Sequence, residues 1–399
     1  MQRKVVLEKI QEVFSLAEQK KYSRVKANGE VTKMETRHGA YKSYADKMNT
    51  VAGYIMDKVN PTLGLTHEKY NNPRFWTKET VDTYISLRLE EVNRGERASK
   101  TLKNDLHALE SFRQFCNKKD ITSFTTNSKI KIGGHERLQE RLKEIKEETG
   151  PSSYKDSRNS KMKISEAHSI IKHIQGPHAE QVKNILNNML VTGARLSTVL
   201  VSEVQHLSAD NGTFHLKHQK GGAVRNVPLS SEGIKTLKEH AKGKTGGSQP
   251  YLLRKNDGGL MNLRSSMRTV ERYVAKAAER AQKAGDIPDL PEGKSFTVHS
   301  FRKSYGQALY DKSQKLTDGQ VKDEIKRYLS LQNPKNRKQL EERIEREKKR
   351  LNKNRDKDRD FTPEEERSLL VSLYLSHSRI DVLRYYINRL IKEHDPNQR

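Results

Sequence analysis

The sequence predicts a mainly α-helical chain in two units, the first all-helical and the second carrying a small antiparallel β-sheet, an α+β class overall. Three observations predict it. Apolar residues recur at helical spacing through most of the 399 residues. The spacing switches to strand alternation around residues 212–229. Between Thr122 and Ser160 the chain turns polar and separates two apolar cores, at a total length that suits two domains better than one.

Taken in order, Val5, Val6, Ile10, Val13, Phe14 and Ala17 predict an amphipathic helix over the first twenty residues. Residues 40–59 give a second helical pattern, stopped by Asn60-Pro61, and Asn71-Asn72-Pro73 breaks the chain again before the lone tryptophan, Trp76. Thr77 can cap the next helix through its hydroxyl, with Glu79 adding a carboxylate to the first turn, and Val81, Tyr84, Ile85 and Leu87 continue it. A further helix carries Leu102, Leu106, Leu109, Phe112 and Cys116 on one face. The polar stretch reads as a linker containing a short charged helix within 135–149. A new helical core opens at Ile164 and runs through Ile185, Leu186, Met189 and Leu190. Gly212-Thr-Phe-His-Leu-Lys-His and Ala223-Val-Arg-Asn-Val-Pro-Leu then alternate around Gln219-Lys-Gly-Gly, a β-hairpin signature, before helical spacing resumes.

Composition bounds the function. The chain has 77 Lys+Arg against 51 Asp+Glu, a net +26. Residues 1–155 hold a net +9 and residues 156–399 a net +17, so both halves are basic and a polyanionic partner, nucleic acid first, is expected. No apolar run approaches the roughly 20 residues of a membrane-spanning helix. Neither a secretory signal nor a transit peptide is visible, and Cys116 is the only cysteine, which fits a reducing cytosol. His215 and His218, three apart on a strand, would point to opposite faces and cannot chelate together.

Four segments carry chemistry together. Val191-Thr-Gly-Ala-Arg-Leu-Ser sets Arg195 at the end of an apolar helix, behind a glycine that can turn the chain. Lys220 lies at the hairpin tip. Val298-His-Ser-Phe-Arg sets His299 and Arg302 three apart on one helical face. His377 precedes Tyr386 by nine residues. Singly each has an ordinary structural explanation: a salt bridge, a surface lysine, a core histidine, a packing tyrosine.

In this order and context, over residues 160–390, the segments resemble the tyrosine recombinase, or phage-integrase, family. The resemblance implies an N-terminal core-binding domain within residues 33–127 after an N-terminal helix or arm (1–32), a linker (128–160), a catalytic domain (161–390) and a short tail (391–399). It implies that Arg195 and Arg302 cage a scissile DNA phosphate, that Tyr386 attacks it to form a 3′-phosphotyrosyl link, that Lys220 protonates the 5′ oxygen, and that His299 and His377 orient the phosphate and assist proton transfer. No cofactor and no metal are implied. The implied partners are double-stranded DNA recombination sites, a homotetramer on DNA in which residues 387–391 pack on a neighbouring subunit, and a directionality factor or DNA-bending protein, in a prokaryotic or phage-derived cytoplasmic setting at the nucleoid. A resolvase or invertase of the same chemistry, or a non-catalytic DNA-binding regulator on the same fold, are the alternatives.

The sequence departs from the family in three places. Thr198 stands where an acidic residue is common, and Ser376 where glycine is common. From Arg302 to His377 an insertion, residues 312–366, extends a span the family keeps short. Within it, residues 321–367 hold 16 basic and 12 acidic side chains, and only Leu340, Ile344 and Leu351 mark an apolar stripe. The expectation is either a solvated helical excursion with interleaved charges or a surface that touches DNA or another protomer. Tyr385 adjoins Tyr386, and the nine-residue spacing selects the second.

Overall fold

The computed structural model describes residues 1–20, 23–25, 31–33, 40–118, 121, 124, 130, 132, 135–149, 161–217, 224–291, 294–352, 359–377 and 380–387. They fall into two compact units, Met1–Asp156 and Ser157–Arg399.

In the first unit α1 (Arg3–Gln19) buries Val6, Ile10, Val13, Phe14 and Ala17, the stripe the spacing predicts. These residues join one core with α2 (Ala40–Tyr54), α4 (Lys78–Asn93) and α5 (Ser99–Cys116), where Phe14 meets Phe115 edge-on at 5.7 Å. The first helix is therefore part of the unit's core. A short antiparallel pair, β1 (Ser23–Val25) with β2 (Val31–Lys33), adds strand structure that the helical periodicity does not announce. Asn60-Pro61 does not end the second helix as expected. A π turn (Ile55–Val59) carries the chain into the three-residue α3 (Asn60–Thr62), with the proline in the first turn, where its missing N–H costs least. Thr77 caps α4 by accepting from the Thr80 N–H at 3.3 Å. Trp76 is 1% exposed and donates its indole N–H to the Tyr70 carbonyl at 2.9 Å.

The stretch read as a linker contributes to this unit. Ile130, Ile132 and Ile145 belong to its core, and α6 (His135–Thr149) packs on α4 and α5. Sequence alone did not show this because the apolar residues are isolated ones in a polar context.

The second unit is built on α7 (Ile164–Lys172), α8 (Ala179–Thr192), α9 (Leu196–Leu200), α10 (Ser231–Ala241), α11 (Leu263–Lys283) and α12 (Val298–Ser313). A three-stranded antiparallel sheet lies among them, in the order β3 (Leu207–Ser208), β4 (Thr213–Leu216), β5 (Arg225–Pro228). Leu216 pairs with Arg225 and Phe214 with Val227. Strand β3 is too short to give a sequence signal. The hairpin tip with Lys220, and His218, lie outside the described residues, as do residues 388–399. Among the described residues no helix is long and apolar enough to cross a membrane.

The insertion is folded. Helix α13 (Asp318–Ser330) and α14 (Pro334–Asn352) precede α15 (Pro363–Tyr374). Val321 and Tyr328 form a second small core with Leu369, Leu370, Leu373, Tyr374 and Ile380, and the Leu340, Ile344 and Leu351 stripe packs against it. An excursion surrounded by solvent does not describe it.

Gly193 ends α8 in the left-handed region at φ 60, and its N–H bonds the Met189 carbonyl at 2.9 Å. A Cβ there would overlap the Tyr305 ring of α12. Gly193→Ala is expected to destabilise the protein by about 2 kcal/mol or more, through both backbone strain and overlap. A urea titration followed by circular dichroism checks this, and an unchanged midpoint would contradict the close approach.

Candidate active site

Five of the six predicted site residues converge in the second unit. Arg195 sits at the N-cap of α9, placed by the Gly193 turn. Arg302 and His299 come from consecutive turns of α12. His377 follows α15 directly. The end of that helix is a Schellman turn: the His377 N–H bonds the Ser372 carbonyl at 2.8 Å, the Ser376 N–H bonds the Leu373 carbonyl at 2.9 Å, and Ser376 adopts φ 51. Tyr386 ends a 3-10 helix (Asp381–Tyr385), its N–H bonded to the Leu383 carbonyl at 2.7 Å.

The Tyr386 ring lies 5.6 Å from the His299 ring and 5.1 Å from the His377 ring, centroid to centroid. Arg302 is 0% exposed and Tyr386 5% exposed, and the two side chains interact electrostatically. Arg302 also donates to the carbonyls of Gly193 and Leu375. Of the adjoining tyrosines Tyr386 faces these groups; the Tyr385 side chain lies outside what is described.

A third arginine, which the sequence reading did not select, completes the cluster. Arg225 on β5 is 4% exposed, donates to the Tyr374 carbonyl and, at 3.2 Å, to that of Leu373, and interacts electrostatically with Arg195, Arg302 and His377. One signal was available: Arg225 shares its strand face with buried Val227, and a charge on the inward face of a strand needs a reason.

Among the described residues no carboxylate pairs with Arg195, Arg225 or Arg302, whereas Arg350, Arg359 and Arg367 of the same unit are each ion-paired. Four buried donor-capable nitrogens here have no hydrogen-bond partner: Arg302 Nε, Arg225 Nε and Nη2, and His377 Nε2. Buried donors are normally satisfied, so their concentration at one point marks a place suited to an oxygen-rich anion. Thr198 is buried with its hydroxyl unpartnered, so it does not replace the hydrogen bonds an acidic residue would supply.

The electrostatics follow from burial of like charges. Burial, then Arg195 and Arg225, pull the Arg302 guanidinium down to about 9 against the attraction of Tyr386, and it remains charged at neutral pH. Arg195 is lowered by burial and by Arg225. His299 is lowered to about 4 by burial and by Arg302, Lys303 and Arg195. His377 is lowered to about 3 by burial and by the three arginines and His299. Both imidazoles are therefore neutral at pH 7.

Residues 161–322 match the phage integrase family, a span that includes Arg195, Arg225, His299 and Arg302 and stops within the insertion, before His377 and Tyr386. A probable integrase/recombinase protein of Methanocaldococcus jannaschii is 28% identical over 139 residues, 35% of this chain and 38% of the relative. The match thus spans well under half of that relative's length. The Tn1549 transposon integrase in complex with circular intermediate DNA aligns with a TM-score of 0.48 and 14% identity over 95% of each chain. A lambda integrase dimer bound to a core site aligns with a TM-score of 0.44 and 14% identity over 72% of this chain and 83% of that one. Residues 161–322 are thus a phage integrase, or tyrosine recombinase, family domain.

Two outcomes follow for this site. Because the folded-state values of His299 and His377 lie below the ordinary 6.5, the unfolded chain takes up protons first as pH falls. Stability is then lost as pH drops from about 6.5 toward 4 and 3, by up to about 1.4 kcal/mol per pH unit per group. The His299→Gln/His377→Gln variant should lose less stability than the parent between pH 7 and 4.5 in parallel denaturation series; equal losses would refute the buried neutral imidazoles. Separately, relief of the left-handed strain at Ser376 should let Ser376→Gly raise stability by a few tenths to about 1 kcal/mol, while Ser376→Val lowers it. A thermal midpoint that falls in the glycine variant would count against the turn.

Proposed function

We propose that the protein is a site-specific tyrosine recombinase that cleaves and rejoins duplex DNA through a 3′-phosphotyrosyl intermediate, without a metal, to integrate or excise a mobile element. The observation that carries this reading is the cluster of three guanidiniums, of which Arg225 and Arg302 are buried with unpartnered donors and Arg195 is half-buried, beside a tyrosine and two neutral imidazoles, with no carboxylate paired to them among the described residues. A guanidinium stays charged and presents a planar fork of donors to phosphate oxygens. Arg195 and Arg302, with Arg225 behind them, stabilise the charge that grows on the non-bridging oxygens as phosphorus becomes five-coordinate.

In the forward step the Tyr386 oxygen attacks phosphorus and the bond to the 5′ oxygen breaks. The phenol proton passes to an imidazole nitrogen of His299 or His377, each able to accept it because it is neutral. Lys220 gives a proton to the departing 5′ oxygen. Rejoining runs the same transfers backwards, with a 5′ hydroxyl displacing the tyrosine. Since Arg302 and Tyr386 are both buried, a phosphodiester reaches the arginines only after the Tyr386 segment shifts. The net +26 supplies affinity for the duplex, and binding is expected to weaken steeply with salt. Assembly as a tetramer on two DNA sites, action in the cytoplasm at the nucleoid, and help from a directionality or DNA-bending protein belong to the same reading.

The test is covalent trapping on a nicked suicide duplex bearing the recombination site. The parent chain and Tyr385→Phe should form a protein–DNA adduct resistant to denaturant, and Tyr386→Phe should form none. An adduct with Tyr386→Phe would remove the assigned nucleophile, and no adduct with the parent on its own flanking DNA would favour a DNA-binding regulator.

A further inference from the structure

The insertion touches both ends of the proposed chemistry. Its α13–α14 turn caps the free edge of β5. The Gln332 side-chain amide accepts from the Asn226 N–H at 2.9 Å and donates to the Asn226 carbonyl at 2.8 Å, the paired exchange a neighbouring antiparallel strand would make. Asn226 returns a bond from its own amide to the Leu331 carbonyl at 2.6 Å, and Asn336 donates to the Val224 carbonyl at 2.9 Å. These bonds hold β5, the strand that carries Arg225, from residue 224 on. Gln332 is 3% exposed, and a buried amide satisfied on both sides fixes one register.

Further along, α14 grips the nucleophile segment. Glu347, 3% exposed, accepts the Ile380 N–H at 2.7 Å and is itself held by two 2.7 Å bonds from Arg350. From Ile380 the bonds continue in 3-10 steps: Leu383 N–H to the Ile380 carbonyl at 2.8 Å, then Tyr386 N–H to the Leu383 carbonyl at 2.7 Å. Ile380 also packs in the same small core as α13 and α15. The two anchors are joined by α13 and α14, whose apolar residues share that core.

We propose that α13–α14 is a brace that couples the position of β5, with its Arg225, to the position of Tyr386, with Gln332 and Glu347 as its positioning residues. This rests on the recombinase reading for its consequences, though not for its structural core. Of the sequence expectations for the insertion, the solvated excursion gives way to this internal role. Holding β5, with Arg225, and the nucleophile segment to one rigid element makes their geometries change together, so the site is either assembled at both ends or at neither.

Hydrogen exchange tests the coupling without any catalysis. In Gln332→Leu, amide exchange should rise at 224–228 and also at 380–387; in Glu347→Leu it should rise at 380–387 and also at 224–228. Increases confined to the segment each residue touches overturn the coupling. Cleavage rates then test the positioning: Gln332→Leu and Glu347→Leu should each cleave the suicide duplex about 10- to 100-fold more slowly than the parent. Parent-like rates for both variants overturn the brace. The conservative Glu347→Gln, whose amide oxygen can still accept from Ile380, should cleave faster than Glu347→Leu, and Gln332→Glu, which keeps the acceptor, should fall between parent and Gln332→Leu. These two variants carry the test if the leucine variants lose the fold. An adduct with Tyr386→Phe would instead defeat the recombinase reading while leaving the exchange result to stand or fall by itself.

Discussion

Three positive charges held side by side, Arg225 and Arg302 buried and Arg195 half-buried, with no carboxylate paired to them among the described residues, constrain everything around them. Removing an ion from water costs several kcal/mol even after relaxation, and mutual repulsion adds to it. The second unit offsets that cost with carbonyl oxygens at two helix ends. Gly193, just past α8, and Leu373, Tyr374 and Leu375, at the end of α15, all accept from Arg302 or Arg225. The C-terminal end of a helix carries partial negative charge, and its last carbonyls lack partners within the helix. Two helix ends converging on the guanidiniums of Arg225 and Arg302 therefore stabilise them without neutralising them. A carboxylate would do so more cheaply, but would compete with any anion for the same donors.

The turns that deliver those helix ends are correspondingly exact in their backbone demands. Gly193 is glycine because the chain must turn left-handed while Tyr305 packs against it. Ser376 makes the equivalent turn after α15 with a side chain, at φ 51, and so holds some strain next to His377. The comparison explains why a glycine reads as natural at that position and why serine is tolerated: the Schellman bonds and the Arg302–Leu375 contact hold the turn from both sides.

What was legible in the sequence follows from range. Arg195 behind its glycine, His299 with Arg302 on one helix face, and His377 nine residues before Tyr386 are local spacings, and local spacing survives in a one-dimensional string. The helical core residues of α1, α5 and α8 were legible for the same reason. Arg225 was not, because its partners are carbonyls about 150 residues away and only its inward position on the strand hints at them. Ile130, Ile132 and Ile145 were missed because single apolar residues in a polar run carry no period. The insertion's charge density hid Gln332 and Glu347, whose importance lies in burial and in backbone partners.

The charge of the insertion also takes on a different meaning. Arg350 pairs with Glu347, Arg359 with Glu365, Arg367 with Asp318 and Lys348 with Asp360. These pairs keep the segment's field small: 16 basic against 12 acidic side chains over residues 321–367. A segment whose charges satisfy one another adds little pull toward a polyanion, and its long polar helix stays soluble while its narrow apolar stripe packs inward. The excess that makes up +26 is left mainly to the rest of the chain. The insertion's contacts with β5 and Ile380 are directional and nearly charge-neutral in their effect on the site, which lets it fix geometry there without altering the potential that the three arginines set.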